Sequence, residues 1–423
     1  MPEGEPQVIA TIDGYVCNWP SQALKITVNR LHAHNDGRVT AEISITTSRN
    51  GYTGKLYPAT SFNFASMQTR ERLINLLTKQ YEEWAWPGII SQLCEKVLDA
   101  ARAGEEVEEL WTSDKLEPPK LLIAPIIFEG LPTVVFGEKE TNKSLTSLLV
   151  YTMCSVPQED SLMGLGFGLP QAPISALYLD WEVNKSVAIY NLSRICKGMG
   201  LPSIPLHYRR CLMPLASDLS EIHRLVEKWG AKLVIVDSLA RAVGKKLDEE
   251  SANQFTEALA KIGCASYIIA QTSKSEDKTK TVLGSTLFQY FARAVFELRK
   301  DKYSEEDDPD TAHVALFCTH YNLGRHPRPL GLRIKYTEDA ITFENEEVKS
   351  VAAFIARLGL QTQILDLLKH GALPVKDIAS QLESKETAVR MALSRLKAKG
   401  QVTKTTNGYG LAILEGTNND VTG

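Results

Sequence analysis

The chain lacks a long apolar run, paired cysteine motifs and an excess of charge of one sign. No apolar run approaches the ~20 residues that a membrane-spanning helix needs, and residues 1–7 form no apolar leader, so we expect a cytoplasmic protein without a membrane partner. The seven cysteines never form C-x-x-C, which favours reduced core residues over a zinc or disulfide framework. A net charge of -4 excludes a uniformly basic nucleic-acid coat, so any DNA contact needs a local basic patch.

What remains is ordinary globular material: 423 residues, 43% hydrophobic and 23% charged, enough for roughly two to four domains. Residues 1–104 combine short β-rich runs with two helical patterns, which predicts a small α+β domain whose role the pattern does not reveal. An acidic, proline-ended linker is predicted at 105–120. From 121 to 345, apolar runs alternate with helical patterns, which indicates an α/β fold with a parallel sheet and crossover helices. Residues 350–415 are helical before a short hairpin, and 416–423 read as a disordered tail.

A phosphate-binding loop follows the apolar run at 133–136. Residues 137–144 read GEKETNKS, the Walker A spacing between a strand and a helix, with Asn142 where the pattern asks for glycine. Asparagine tolerates the left-handed backbone that glycine would supply, so the loop can still close. Backbone N–H groups would cradle phosphate, Lys143 would face the outer phosphates, and Ser144 would offer its hydroxyl to Mg²⁺. The alternative is an ordinary helix start with an incidental glycine and Lys-Ser pair.

Carboxylates end two further apolar runs of this region. The run 233–236 ends in Asp237, the form of a Walker B motif that orders the water shell of Mg²⁺. The run 176–179 is followed by Asp180 and Glu182; Glu182 is our candidate general base, Asp180 is its rival, and a solvated strand end is the plain alternative for both. The predicted metal ligands are thus Ser144 and Asp237. The predicted nucleotide contacts are Gly137, Glu138, Thr141, Asn142, Lys143, Ser144, Leu145 and Asp237.

In this order the three strand ends resemble the RecA-like P-loop ATPases of the AAA class, particularly the RepA-like hexameric helicase branch, over roughly residues 120–340. The resemblance implies ATP and Mg²⁺ as ligands, a homo-oligomer with a hexamer favoured, and Glu182 and Lys143 in catalysis. It also implies that Gln271 is a polar sensor for the terminal phosphate. Arg293 and Lys274 match cationic fingers that reach a neighbouring subunit's nucleotide, with a surface salt bridge as the alternative for each.

His32 and His34 would share one face of a strand, but no third ligand lies near them in sequence, so a metal site is not expected there.

The C-terminal segment shows a helix at 361–368, a second opening at Pro374, a third with Ser384 as its N-cap, and a hairpin around 405–408. This order resembles the winged helix-turn-helix. The resemblance implies DNA contacts from the third helix and the wing, although winged helices also dock proteins. The candidate DNA-binding residues are Lys385, Thr387, Arg390, Arg395 and Lys404.

Together these features predict a DNA-dependent ATPase that acts in replication or recombination of a mobile element. Its DNA would be single-stranded in the ATPase ring, or duplex on the winged helix. Glu140 and Asn142 replace residues that are usually small in the loop, and Glu140 brings negative charge towards the phosphates, so hydrolysis could be weak. The alternatives are a nucleotide-sensing DNA-binding regulator and a scaffold that recruits protein partners.

Overall fold

The computed structural model describes residues 4–34, 36–52, 54–103, 107–109, 111–112, 118–182, 184–272, 288, 291–301, 308–348, 351, 354 and 359–412. The chain forms two compact units. The first comprises Met1–Val134, Ile174–Lys185 and Leu206–Arg293, and the second comprises Val135–Pro173, Ser186–Pro205 and Ala294–Gly423. Among the described residues, no helix has the length and apolar character to cross a membrane.

The N-terminal part is an antiparallel sheet with two helices. Burial alternates along its fourth strand, as expected for a sheet with one face on a core. Two tryptophans, Trp19 and Trp86, are fully enclosed in that core. Ser66 caps the first helix by accepting the N–H of Thr69. The elements are β1 (Gln7–Thr11), β2 (Gly14–Trp19), β3 (Leu24–Ala33), β4 (Val39–Thr47), β5 (Lys55–Asn63), α1 (Met67–Gln80) and α2 (Trp86–Ala103).

The central part is a mixed α/β structure. Its strands are β6 (Leu121–Ile123), β7 (Ile127–Phe128), β8 (Pro132–Gly137), β9 (Ala176–Asp180), β10 (Tyr208–Arg210), β11 (Leu233–Asp237), β12 (Ala265–Gln271), β13 (Ala294–Lys300), β14 (Thr311–Tyr321), β15 (Leu330–Tyr336) and β16 (Ile341–Glu346). Its helices are α3 (Lys143–Ser155), α4 (Asp160–Met163), α5 (Lys185–Gly198), α6 (Leu219–Trp229), α7 (Leu239–Val243) and α8 (Glu249–Ile262). β6 and β7 form a small ladder of their own.

Among the described residues, the strands of the first unit follow the order β10-β9-β11-β12, and those of the second unit follow the order β13-β14-β15-β16. In the first unit, β9 to β12 pair in parallel and every residue of β9 and β11 is buried, as predicted for strands covered by helices on both faces. In the second unit, β13 to β16 pair antiparallel. The prediction of a parallel sheet is therefore correct for β9 to β12, and β13 to β16 lie outside the runs on which that prediction rested.

The C-terminal part has its own buried core, which includes Ile364, Val389 and Leu393. Its elements are α9 (Leu360–Leu367), α10 (Val375–Gln381), α11 (Glu386–Ala398), β17 (Val402–Thr405) and β18 (Gly408–Leu411). The predicted N-cap is wrong: Lys385 precedes α11, because the N–H of Ser384 still bonds back to Ala379 at 2.9 Å and so closes α10.

One pairing in this part was not predicted. Leu373 bridges Tyr409, with N–H to O distances of 3.0 and 2.8 Å in the two directions, and so adds a third segment to the β17–β18 hairpin.

Candidate functional site

The predicted phosphate loop closes through two left-handed residues. Asn142 has φ 62° and ψ 26°, the conformation for which asparagine is the best-suited side chain after glycine. Glu140 also adopts φ 63°, although glutamate has no such preference, and its side chain is exposed. The loop therefore turns without the missing glycine, and α3 begins directly after Asn142.

Gly137, the first residue of the loop, has no room for a side chain. A Cβ placed on it would lie 2.5 Å from the carbonyl oxygen of Leu298 and 2.8 Å from Thr141 Oγ1. Thr141 is buried, and its hydroxyl donates to the Glu138 carbonyl at 3.0 Å. The glycine thus permits the close packing that holds the loop against β13.

Lys143 places its ammonium group against the loop that precedes it. The Nζ atom donates to the carbonyl oxygen of Gly137 at 3.0 Å, to the carbonyl oxygen of Glu138, and to Thr141 Oγ1 at 3.2 Å. Ser144, the next residue, is exposed in the first turn of α3, and Leu145 is half-buried. A positive charge and a hydroxyl therefore lie together at a helix N-terminus, whose unpaired N–H groups favour anions.

Asp237 ends the buried strand β11 and is only 2% exposed. The hydroxyl of Tyr178, on the neighbouring strand β9, donates to its Oδ2 at 2.8 Å. Asp237 is also in register with Asp180 across the β9–β11 pair. Tyr178 was not predicted, although a tyrosine inside a fully apolar strand signals a hydroxyl that needs a partner.

The two rival carboxylates after β9 have different surroundings. Asp180 is 1% exposed; it accepts the Tyr208 hydroxyl at 3.0 Å and the Glu182 N–H at 2.7 Å, and it pairs with Arg210 at 3.3 Å. Burial, and secondly the bond to Asp180, raise the pKa of Tyr208 to about 12. Asp180 therefore organises the strand end from inside the fold.

Glu182, in contrast, is exposed, and its Oε1 accepts a hydrogen bond from Ser238, the residue after Asp237. An exposed carboxylate oriented by a hydroxyl group is the better placed of the two to take a proton from water. Gln271, the predicted sensor, is half-buried at the last position of β12.

Residues 99–277 match the family model described as AAA domain. The match supports an AAA-type P-loop ATPase domain over this stretch. A comparison with curated proteins finds no match. The match includes the loop, Glu182, Asp237 and Gln271, and it ends before Arg293.

Arg293 directly precedes β13. Its side chain is exposed, and its N–H donates to the carbonyl oxygen of Pro132, the first residue of β8, at 3.2 Å. Lys274 lies outside the described residues.

The C-terminal helix α11 presents an exposed polar face. Thr387, Arg390, Met391 and Ser394 follow one another at the i, i+3, i+4 and i+7 positions, which share one side of a helix. Met391, which was not predicted, is 59% exposed in the middle of this face. Residues 385–404 hold six basic residues and one acidic residue; all six are exposed: Lys385, Arg390, Arg395, Lys397, Lys399 and Lys404.

Proposed function

We propose that the chain is a RecA-like ATPase that binds and hydrolyses ATP with Mg²⁺, assembles as a homo-oligomer, and acts on DNA. The observation that carries the proposal is the phosphate loop, where Gly137 is packed too tightly for a side chain, Asn142 is left-handed and Lys143 Nζ lies inside the turn. The AAA domain match supports nucleotide binding and ATPase activity in general.

The polar residues of the proposed site have separate tasks. The N–H groups at the start of α3 hold the phosphates, and Lys143 turns from the loop carbonyls to balance their charge. Ser144 and Asp237 hold the Mg²⁺ and its water shell, with Asp237 oriented by Tyr178. Bound Mg²⁺ neutralises charge on the outer phosphates.

Glu182 is the proposed general base. Ser238 holds its Oε1, so the second oxygen takes the proton from the attacking water. Gln271 offers its amide to the terminal phosphate. Arg293 acts in this scheme on the nucleotide of a neighbouring subunit, which requires an oligomer, and we favour a hexamer of the RepA-like helicase type.

The C-terminal part is proposed to be a DNA-binding winged helix. The helix order, the bridge between Leu373 and Tyr409 and the exposed basic residues support this proposal. Residues 360–412 carry eight lysines and arginines against four acidic residues, whereas the whole chain has a net charge of -4. The proposed contacts to bases and phosphates are Lys385, Thr387, Arg390, Arg395 and Lys404.

The test is phosphate release from Mg²⁺-ATP, measured without DNA, with single-stranded DNA and with duplex DNA. We expect DNA to stimulate release, Lys143→Ala to abolish it, and Lys139→Ala, which changes an exposed lysine of the same loop, to retain it. Equal release by the wild type and Lys143→Ala would reject the proposed site.

A second function is favoured by Glu140, whose exposed carboxylate is part of a loop that must approach phosphates. In this alternative the domain binds ATP with almost no turnover, and the chain is a nucleotide-sensing DNA-binding regulator or a scaffold. The same assay separates the two functions. ATP binding that controls DNA affinity without phosphate release would favour the regulator.

A further inference from the structure

Three potential metal ligands meet in the first compact unit. His32 and His34 lie at the end of β3 and just beyond it, and Glu250 lies in the first turn of α8. The two imidazole rings are 4.3 Å apart between centroids and nearly perpendicular, at 83°. The sequence offers no third ligand near these histidines, and the fold supplies one, Glu250, from a distant segment.

The spacing of the ligand atoms suits a tetrahedral ion. Glu250 Oε1 lies 3.6 Å from His32 Nε2 and 3.5 Å from His34 Nδ1, and all three atoms lie within 4.8 Å of one another. Zinc bonds of ~2.0–2.1 Å at tetrahedral angles separate two ligands by roughly 3.3–3.4 Å. Separations of 3.5 and 3.6 Å are long for hydrogen bonds but match two atoms that share an ion.

The second contact of His34 favours metal binding, and that of His32 must be displaced by the ion. His34 Nε2 lies 2.9 Å from Thr40 Oγ1; donation of the Nε2 proton to this hydroxyl leaves the Nδ1 lone pair directed at Glu250. His32 Nε2 lies 3.1 Å from the amide nitrogen of Gln254, one turn after Glu250 on α8. This amide donates to the lone pair of Nε2, so an ion would have to displace the amide to bind His32.

The cluster is open to solvent on one side. It faces a cavity of about 220 Å³ that Asp36, Arg38 and Glu257 also line. Glu250 is 61% exposed, so an incoming ion has a path and water can fill a fourth position. The carboxylates around the cavity outnumber the single arginine, which favours a cation.

We propose that His32, His34 and Glu250 bind a divalent transition-metal ion, with zinc as the best match. Two imidazoles and one carboxylate suit zinc, whereas calcium and magnesium prefer sites made of oxygen alone. The bound ion fastens β3 of the N-terminal sheet to α8. Because α8 leads into β12, whose last residue is Gln271, the ion restrains a helix that supports the proposed nucleotide sensor.

The test uses the untagged full-length protein after a chelator has removed bound metal. The protein is titrated with Zn²⁺ in the presence of excess Mg²⁺ and, separately, with Co²⁺. We expect one equivalent of Zn²⁺ to bind and a Co²⁺ absorption typical of nitrogen and oxygen ligands. His32→Ala, His34→Ala and Glu250→Gln should each weaken Zn²⁺ affinity by about tenfold or more, and Thr40→Val by about tenfold through the lost support of His34.

Two matched variants control this experiment. His223→Ala removes a histidine that lies 3.7 Å from one carboxylate, that of Glu227, and Glu249→Gln removes the charge next to Glu250 on α8; both should bind Zn²⁺ as the wild type does. Zn²⁺ should also raise the melting temperature of the wild type but not of Glu250→Gln. This variant is expected to fold, because the side chain of Glu250 is exposed. Equal affinity in the wild type and the three ligand variants, a Co²⁺–thiolate band, or no binding at all would overturn the proposal.

Discussion

At the residue scale, the environments of Asp180 and Glu182 predict opposite consequences for two similar substitutions. Glu182→Gln should leave ATP affinity unchanged and lower phosphate release by roughly 10²–10⁴-fold, the usual contribution of a general base. Asp180→Asn should instead lower the free energy of unfolding by about 2 kcal/mol, because a buried charged acceptor with three partners is lost.

Steady-state phosphate release and denaturant unfolding of both variants separate these effects. The two substitutions each remove one negative charge and preserve shape, so each is the control for the other. Unchanged turnover in Glu182→Gln would discard our choice of base, and a stable but inactive Asp180→Asn would transfer that role to Asp180.

Single residues also show what sequence reasoning can and cannot find. The left-handed Asn142 was predictable, because a glycine position in a known loop limits the side chains that fit. The partnership of Glu250 with His32 and His34 was not, since ligand spacing along the chain says nothing about a helix that packs against the strand from a distant segment. Neither was the hydrogen bond from Tyr178 to Asp237, which depends on strand order.

At the element scale, the exposed face of α11 predicts a salt-dependent loss of DNA affinity. Arg390→Ala and Arg395→Ala should each weaken duplex binding and reduce the slope of log K against log salt by about 1 if the arginine contacts a phosphate. Arg390 pairs with the exposed Glu386 at 3.2 Å, and such i, i+4 pairs contribute about 0.3–0.5 kcal/mol, so unfolding would not explain the loss.

Lys369→Ala is the matched control, because Lys369 is an exposed basic residue paired with Asp366 outside α11. Fluorescence anisotropy with labelled duplex at several salt concentrations provides the measurement. If all three variants bind as the wild type does, α11 does not contact DNA, and its face around Met391 becomes a candidate for docking a protein.

Element prediction succeeded where periodicity is local. β11 extends one residue beyond the predicted run, because burial on both faces leaves a clear pattern. The antiparallel pairing of β13 to β16 was missed, since strand direction is decided by partners and connections rather than by the composition of each strand.

At the scale of the whole molecule, buried thiols make the free energy of unfolding depend on pH in the alkaline range. Burial raises the pKa of Cys154, Cys211 and Cys264 to about 12, whereas an unfolded cysteine titrates near 9.0. The folded chain therefore holds protons that the unfolded chain has already lost between these pH values. Since stability changes with pH in proportion to protons bound unfolded minus protons bound folded, the sign is negative and stability falls as pH rises.

Each such thiol should lower the free energy of unfolding by up to about 1.4 kcal/mol per pH unit across this range. Denaturant unfolding under reducing conditions, at steps from about pH 8 to pH 11, measures the slope. Cys154→Ala should be less stable than the wild type below pH 9, because it leaves a small cavity, but should lose stability more slowly as the pH rises, since Cys154 is fully buried in α3. Ser155→Ala, a change at the adjacent residue that removes no titrating group, should keep the wild-type slope. If Cys154→Ala also keeps that slope, Cys154 ionises equally in the folded and unfolded chains, and burial is not what protects it.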